Sequence, residues 1–188
     1  KKVRGDPFAI AGGVTGCLLS GGQGKRMNGL DKGLMMLRGK HLAFHGCSKL
    51  APQVDSMLII ANRNITQYKK ICEKTICDHP HLKNKGPLSG ILTAMKHVQT
   101  EYIMVIPCDS PFFPETLVRE LAKPVLLGQA SLSTVLDRSK SVHPTFLFLP
   151  VLLRQSLENY LLSGRSSVKD WINRHNTAKI LLSEKQQF

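Results

Sequence analysis

Lys25, Arg26 and Lys32 stand close together in a glycine-rich stretch, Leu18-Leu19-Ser20-Gly21-Gly22-Gln23-Gly24-Lys25-Arg26-Met27, which is closed by Asp31-Lys32-Gly33. Glycine lets backbone N–H groups approach a ligand closely and take up conformations that other residues avoid. Cations at the rim then neutralise an anion. The chemistry this suits is the cradling of phosphate. Two rival glycine motifs do not fit. A Walker-type loop needs Ser or Thr after its lysine, and Lys25 is followed by Arg26. A dinucleotide fingerprint needs a third glycine, where the chain has Met27. A solvated turn with incidental lysines is the competing reading, and the spacing of Arg26, Asp31 and Lys32 argues against it.

Asp109 is a second candidate. It follows the apolar run Tyr102-Ile103-Met104-Val105-Ile106 and sits in Pro107-Cys108-Asp109-Ser110-Pro111. Prolines stiffen the backbone on either side, and an acid just past a buried strand suits a hard divalent cation that also touches phosphate. An acid in a proline-rich turn is the alternative. Asp78, after Thr75-Ile76-Cys77, is read as a hydrogen-bond acceptor for a base or sugar, with a solvated turn as the alternative. Cys77, His79 and His81 have metal-ligand chemistry, but Pro80 between the histidines and the tight spacing hinder convergence. Gly86-Pro87 opens a helix whose first N–H groups are free to meet a ligand. Asn62-Arg63-Asn64 either reads a base or ends a strand. Arg165, Lys169 and Arg174 either hold a second anion or are solvated charges, and Trp171 is read as a packing anchor.

These residues must be positioned by something. Apolar strands are predicted at 14–19, 56–61, 102–106, 131–136, 145–149 and 178–182. Helical patterns are predicted at 41–50, 66–74, 88–98, 114–121, 150–162 and 168–175. Alternation of this kind predicts an α/β fold, a mostly parallel central sheet with helices on both faces. Ligands in such sheets sit beyond the carboxyl ends of the strands. The 188 residues suit a single domain, with residues 1–13 expected as a leader or flexible N-terminus.

Composition narrows the classes. No apolar run approaches the ~20 residues of a membrane span. Five cysteines, odd in number and none in Cys-x-x-Cys spacing, point to a reducing, cytoplasmic setting rather than a disulfide framework. The net charge of +13 raises nucleic acid as a partner. Yet Lys and Arg are spread along the chain, and aromatics make up only 6%, with no ladder for base stacking. Nucleic acid is the minor reading beside a polyphosphate ligand.

Taken in order, these motifs resemble a known family. Residues 19–27 with Asp31-Lys32-Gly33 are similar to the signature of nucleotidyltransferases with a Rossmann-like fold. Asn62-Arg63, Gly86-Pro87-Leu88-Ser89-Gly90, Pro107-Cys108-Asp109-Ser110-Pro111, His143-Pro144 and Gly164-Arg165 through Trp171-Ile172 and His175 resemble, within it, molybdenum cofactor guanylyltransferases. The resemblance runs from about Gly16 onward. It implies transfer of GMP from GTP to molybdopterin bearing molybdenum, with Mg²⁺, giving the guanine dinucleotide cofactor and pyrophosphate. It also implies site residues. Leu19, Ser20, Gly21 and Gly22 would contact GTP through the loop, as would Lys32 and Asp78. Asp109 would contact GTP and hold the metal, and Arg26, Lys32 and Asp109 would form the catalytic set. GTP and molybdopterin are the implied small-molecule partners. Other cofactor-biosynthesis proteins and apo-molybdoenzymes are the implied protein partners.

Two positions depart from the family pattern. Some members carry Asn where this chain has Ile60, with Asn62 the nearest amide. The family also continues with an Asn-x-Asn-Thr-Pro-like segment, whereas the sequence given runs to Gln186-Gln187-Phe188. The competing functions are a CTP-dependent cousin, a sugar-phosphate nucleotidyltransferase, and a non-catalytic basic binding module of the same fold.

Overall fold

The computed structural model describes residues 9–20, 30–79 and 86–182. Strand β1 (Val14–Ser20) leads, beyond the glycine stretch, to a 3₁₀ turn (Lys32–Leu34), the small hairpin β2 (Met36–Leu37) and β3 (Lys40–His41), and helix α1 (Leu42–Leu50). There follow β4 (Ser56–Ala61), α2 (Ile65–Lys69), β5 (Thr75–Ile76), α3 (Pro87–His97), β6 (Tyr102–Pro107) and α4 (Leu117–Leu126). The last elements are β7 (Leu132–Leu136), β8 (Val142–Pro150), α5 (Arg154–Leu162), α6 (Val168–Ile172) and β9 (Thr177–Leu181). Seven strands form one sheet in the order β5-β4-β1-β6-β8-β7-β9.

The central strands are apolar at nearly every position because both faces of the sheet are covered. Side chains alternate between faces. Leu18, Ile59, Ala61, Met104 and Ile106 enter one core, packed with Ala43 and Leu50 of α1 and Leu117, Val118 and Leu121 of α4. Cys17, Leu58, Ile60, Ile103 and Val105 enter the other, with Leu88, Ile91 and Leu92 of α3, Leu157 of α5 and Trp171 of α6. The predicted architecture, an α/β fold with a mostly parallel sheet and helices on both faces, is the one observed.

The sheet departs from that reading at β8, which pairs antiparallel with both β6 and β7. Hydrophobicity marks a buried strand but carries no direction; the direction comes from the connections. The short turn Asp137–Ser141, where Asp137 N donates to Ser141 O at 3.0 Å, reverses the chain into β8. The run at 66–74 yields only the short α2: its closing amides turn to carbonyls three residues back (Lys70 N to Gln67 O at 3.2 Å, Ile71 N to Tyr68 O at 2.9 Å), and Lys74 O then accepts from Ile59 N at 3.0 Å as the chain enters β5. Helix α4 starts later than predicted and continues past Pro124. Residues 10–13 are tied into the fold rather than forming a free leader. Ile10 packs on the core, and the Gly12 and Gly13 carbonyls accept from Glu101 N (2.8 Å) and Tyr102 N (3.2 Å). Among the described residues no helix is long and apolar enough to cross a membrane.

Six strands point the same way, so one edge of the sheet collects their carboxyl ends. That edge carries Ser20, Asn62–Asn64, Asp78, Asp109 and Asp137, together with the entry to β8 at His143.

Candidate active site

Ser20 ends β1 at the centre of this edge, with β6 beside it. The Cys108 amide donates to Leu19 O at 3.1 Å and sets the turn after β6 against the end of β1. The next residue, Asp109, is thereby aimed across the end of β1. Its Oδ2 meets Lys32 Nζ at 3.0 Å. The two side chains are 48% (Lys32) and 34% (Asp109) exposed, so the pair is reachable from solvent. Residues distant in sequence are thus joined at the carboxyl edge.

Lys32 reaches Asp109 from a strap that is itself anchored. Asp31 Oδ1 accepts from the Tyr68 hydroxyl at 2.5 Å, and Tyr68 shares a very short hydrogen bond with Ser20 Oγ. Asp31 Oδ2 accepts from Asn64 Nδ2 at 2.9 Å and faces Arg63 Nε at 3.6 Å. Arg63 also donates to Leu30 O at 2.7 Å. Tyr68 is fully buried; burial first, and then donation to Asp31, push its phenol well above the ordinary range. Gly33 is required by close approach. A Cβ there would strike the Tyr68 hydroxyl, come to 2.9 Å from Ser20 Oγ and lie 3.1 Å from Cys108 Cβ. Sequence reasoning gave Tyr68 no role, because one tyrosine in a helical run looks like core until its hydroxyl finds a partner.

Asp78 is only 5% exposed. Its Oδ2 accepts from Asn62 Nδ2 (2.8 Å), its own amide donates back to Asn62 Oδ1 (2.9 Å), and its Oδ1 accepts from Thr93 Oγ1 (2.8 Å). The carboxylate therefore clamps the ends of β4 and β5 onto α3, and Asn62 is engaged in the same clamp. A solvated turn is excluded by this burial. Any ligand contact at Asp78 would use lone pairs left over from these bonds.

At the far side of the edge, His143 Nε2 lies 2.9 Å from Asp137 Oδ2. Hydrogen bonds from Ser139, then His143, then the Ser141 amide hold the Asp137 carboxyl well below the usual carboxylate range. A register shift between Thr134 and Val135 bulges β8 here. Thr134 Oγ1 pins the bulge through His143 O and Phe146 O, at 3.0 and 2.9 Å. Gly86 caps α3 at φ 81, a conformation that favours glycine. Trp171 is buried in the core and Arg174 lies over the Tyr160 ring at 5.0 Å, so that cation is used in packing.

Gly21, Gly22, Lys25 and Arg26 lie outside the described residues, as does His81. No group of three or more His, Cys, Asp or Glu suited to a metal occurs among the described residues. The donor set still fits a hard divalent ion that takes one protein carboxylate and completes its shell with substrate phosphate and water. Asp109 suits this best: it is partly exposed at the carboxyl edge with the Lys32 ammonium on one oxygen, whereas Asp31 and Asp78 each accept from two side-chain donors.

A family model for the MobA-like NTP transferase domain matches residues 16–179. A molybdenum cofactor guanylyltransferase of Ralstonia pickettii is 35% identical, with 93% of this chain and 89% of that protein covered. A protein of the same description from Cupriavidus taiwanensis is 36% identical over the same shares. Among solved structures, molybdopterin-guanine dinucleotide biosynthesis protein A from Archaeoglobus fulgidus superposes with a TM-score of 0.70 at 22% identity. It covers 89% of this chain and 83% of that one, and at that identity it speaks for the fold.

Proposed function

The chain belongs to the MobA-like NTP transferase family, and from that membership we propose how its own residues carry a guanylyl transfer. It is a molybdenum cofactor guanylyltransferase, moving the GMP moiety of GTP onto molybdenum-bearing molybdopterin and releasing pyrophosphate. The terminal phosphate of the pterin attacks the α-phosphorus of GTP, a new P–O bond forms, and the bond to the β-phosphate oxygen breaks. No side-chain nucleophile is needed; positioning and electrostatics supply the acceleration.

The observation that carries the assignment of roles is the Lys32–Asp109 pair at 3.0 Å. In the free protein each neutralises the other, beside the end of β1. With GTP bound, Lys32 would exchange its carboxylate partner for phosphate oxygens, leaving Asp109 as the residue that would hold the divalent cation, which we assign as Mg²⁺. That ion would offset charge on the phosphates. Leu19 and Ser20 border the nucleotide at the end of β1. Gly21, Gly22 and Arg26 are assigned to the triphosphate on sequence grounds. Asp78 supports the nucleotide side by fixing Asn62 and holding the ends of β4 and β5 against Thr93 of α3. The net charge of +13 favours a substrate pair that is anionic on both sides.

The test is a turnover assay of the purified chain with molybdopterin, each nucleoside triphosphate in turn, and Mg²⁺ or Mn²⁺. Guanine dinucleotide formation with GTP alone is expected. Turnover with CTP, or with a sugar phosphate as acceptor, would replace this reading by the corresponding cousin. Binding without turnover of any pair would favour a non-catalytic module.

A further inference from the structure

We infer that Tyr68 is a positioning residue for the transfer, acting through Asp31 to fix the backbone strap that carries Lys32. The inference rests on the role given to Lys32 above. The strap is held on both sides of that lysine. Before it, Asp31 is bound by Tyr68, Asn64 and Arg63. After it, Gly33 is pressed so closely on the Tyr68 hydroxyl, Ser20 Oγ and Cys108 that no side chain would fit. The 3₁₀ turn closes the strap, with Leu34 N donating to Asp31 O (3.0 Å) and Met35 N to Lys32 O (3.1 Å).

Tyr68 is the point where these restraints meet. Its ring fills the core beneath the strap, and its hydroxyl touches both Asp31 and the residue that ends β1. A lysine side chain has several rotatable bonds, and only a fixed backbone confines its ammonium to the ligand. Supporting residues that hold a charged group this way control rate without touching substrate, since a displacement of about 1 Å can cost on the order of 10²-fold. A residue that only filled the core would need no hydroxyl. Here the hydroxyl is fully enclosed and directed at the strap.

The experiment is a double-mutant cycle of Tyr68→Phe and Lys32→Ala, read in kcat/KM for GTP and in GTP affinity, with thermal midpoints alongside. With Lys32 present, Tyr68→Phe should lower kcat/KM about tenfold. With Lys32 replaced by Ala, the same change should cost less than about twofold, because the group being positioned is gone. The thermal shift from Tyr68→Phe should be equal in the two backgrounds. Equal fold-losses in both backgrounds would overturn the inference and leave Tyr68 a packing residue. Asp31→Asn should repeat the pattern, and it carries the test if Tyr68→Phe does not fold. A wild-type chain that binds GTP but forms no guanine dinucleotide would overturn the reaction assigned above, while the cycle would still be readable in GTP affinity.

Discussion

At the residue scale the central fact is that Asp109 and Lys32, far apart in the chain, face each other at 3.0 Å. Asp109→Asn removes the charge proposed to hold the cation but keeps the shape. It should lower metal-dependent turnover on the order of 10²–10³-fold, with the thermal midpoint little changed, measured by steady-state kinetics and melting. Lys32→Ala should raise the dissociation constant for GTP about 10–100-fold, the worth of a charge-assisted hydrogen bond, read by titration calorimetry. The cysteines give an independent check. All five are free thiols. Burial pushes Cys17 far up, Cys47 to about 12 and Cys108 to about 11, whereas Cys77 is exposed. Thiolate is the reactive form, so neutral alkylation of the native chain should label Cys77 first and spare Cys17, Cys47 and Cys108. Peptide mapping after a timed quench would show it, and early labelling of Cys108 would contradict the packing around β6.

At the element scale, the strands deliver residues to one edge, and the helices fix which of them meet. The sequence marks β4 at Ser56–Ala61 and β6 close to its observed ends because a strand buried on both faces reads as an uninterrupted apolar run. It misses β5, whose two residues are too few for any periodicity. Helix α6 also has a pH signature. His175 follows it, packs edge-to-face on Trp171 at 4.9 Å and bonds Ser156 Oγ at 3.1 Å. Partial burial lowers its pKa. A base whose folded pKa lies below the unfolded one takes up its proton more readily when unfolded. Its contribution is therefore complete above the unfolded value near 6.5 and is lost as pH falls through the folded value. The midpoint of melting should drop between about pH 7 and 5, and His175→Gln should flatten that slope. An unchanged slope would place the titration elsewhere.

At the scale of the whole molecule, the two cores lie back to back on one sheet, which argues for a single domain. Ile59 in one core and Leu147 in the other are both fully buried. Either residue changed to Ala should cost about 2–5 kcal/mol, a fall of roughly 5–15 °C in Tm for a chain of this size. Both variants should keep one cooperative transition in calorimetry, and two separated transitions would show independent units.

What the sequence by itself determined was local. Apolar runs set the strands, their alternation with helical patterns set the α/β class, and residue type and spacing in the glycine-rich stretch, at Lys32 and at Asp109 are the grounds on which phosphate chemistry is proposed. Only the tertiary structure decided that β8 runs against its neighbours, that Asp78 is enclosed in a clamp with Asn62 and Thr93, that Lys32 reaches Asp109, and that the Tyr68 hydroxyl meets Asp31 beside Lys32. The physical reason is range. Propensity and periodicity act over a few residues, whereas a hydrogen bond between side chains distant in the chain exists only after the sheet has brought strand ends to a common edge.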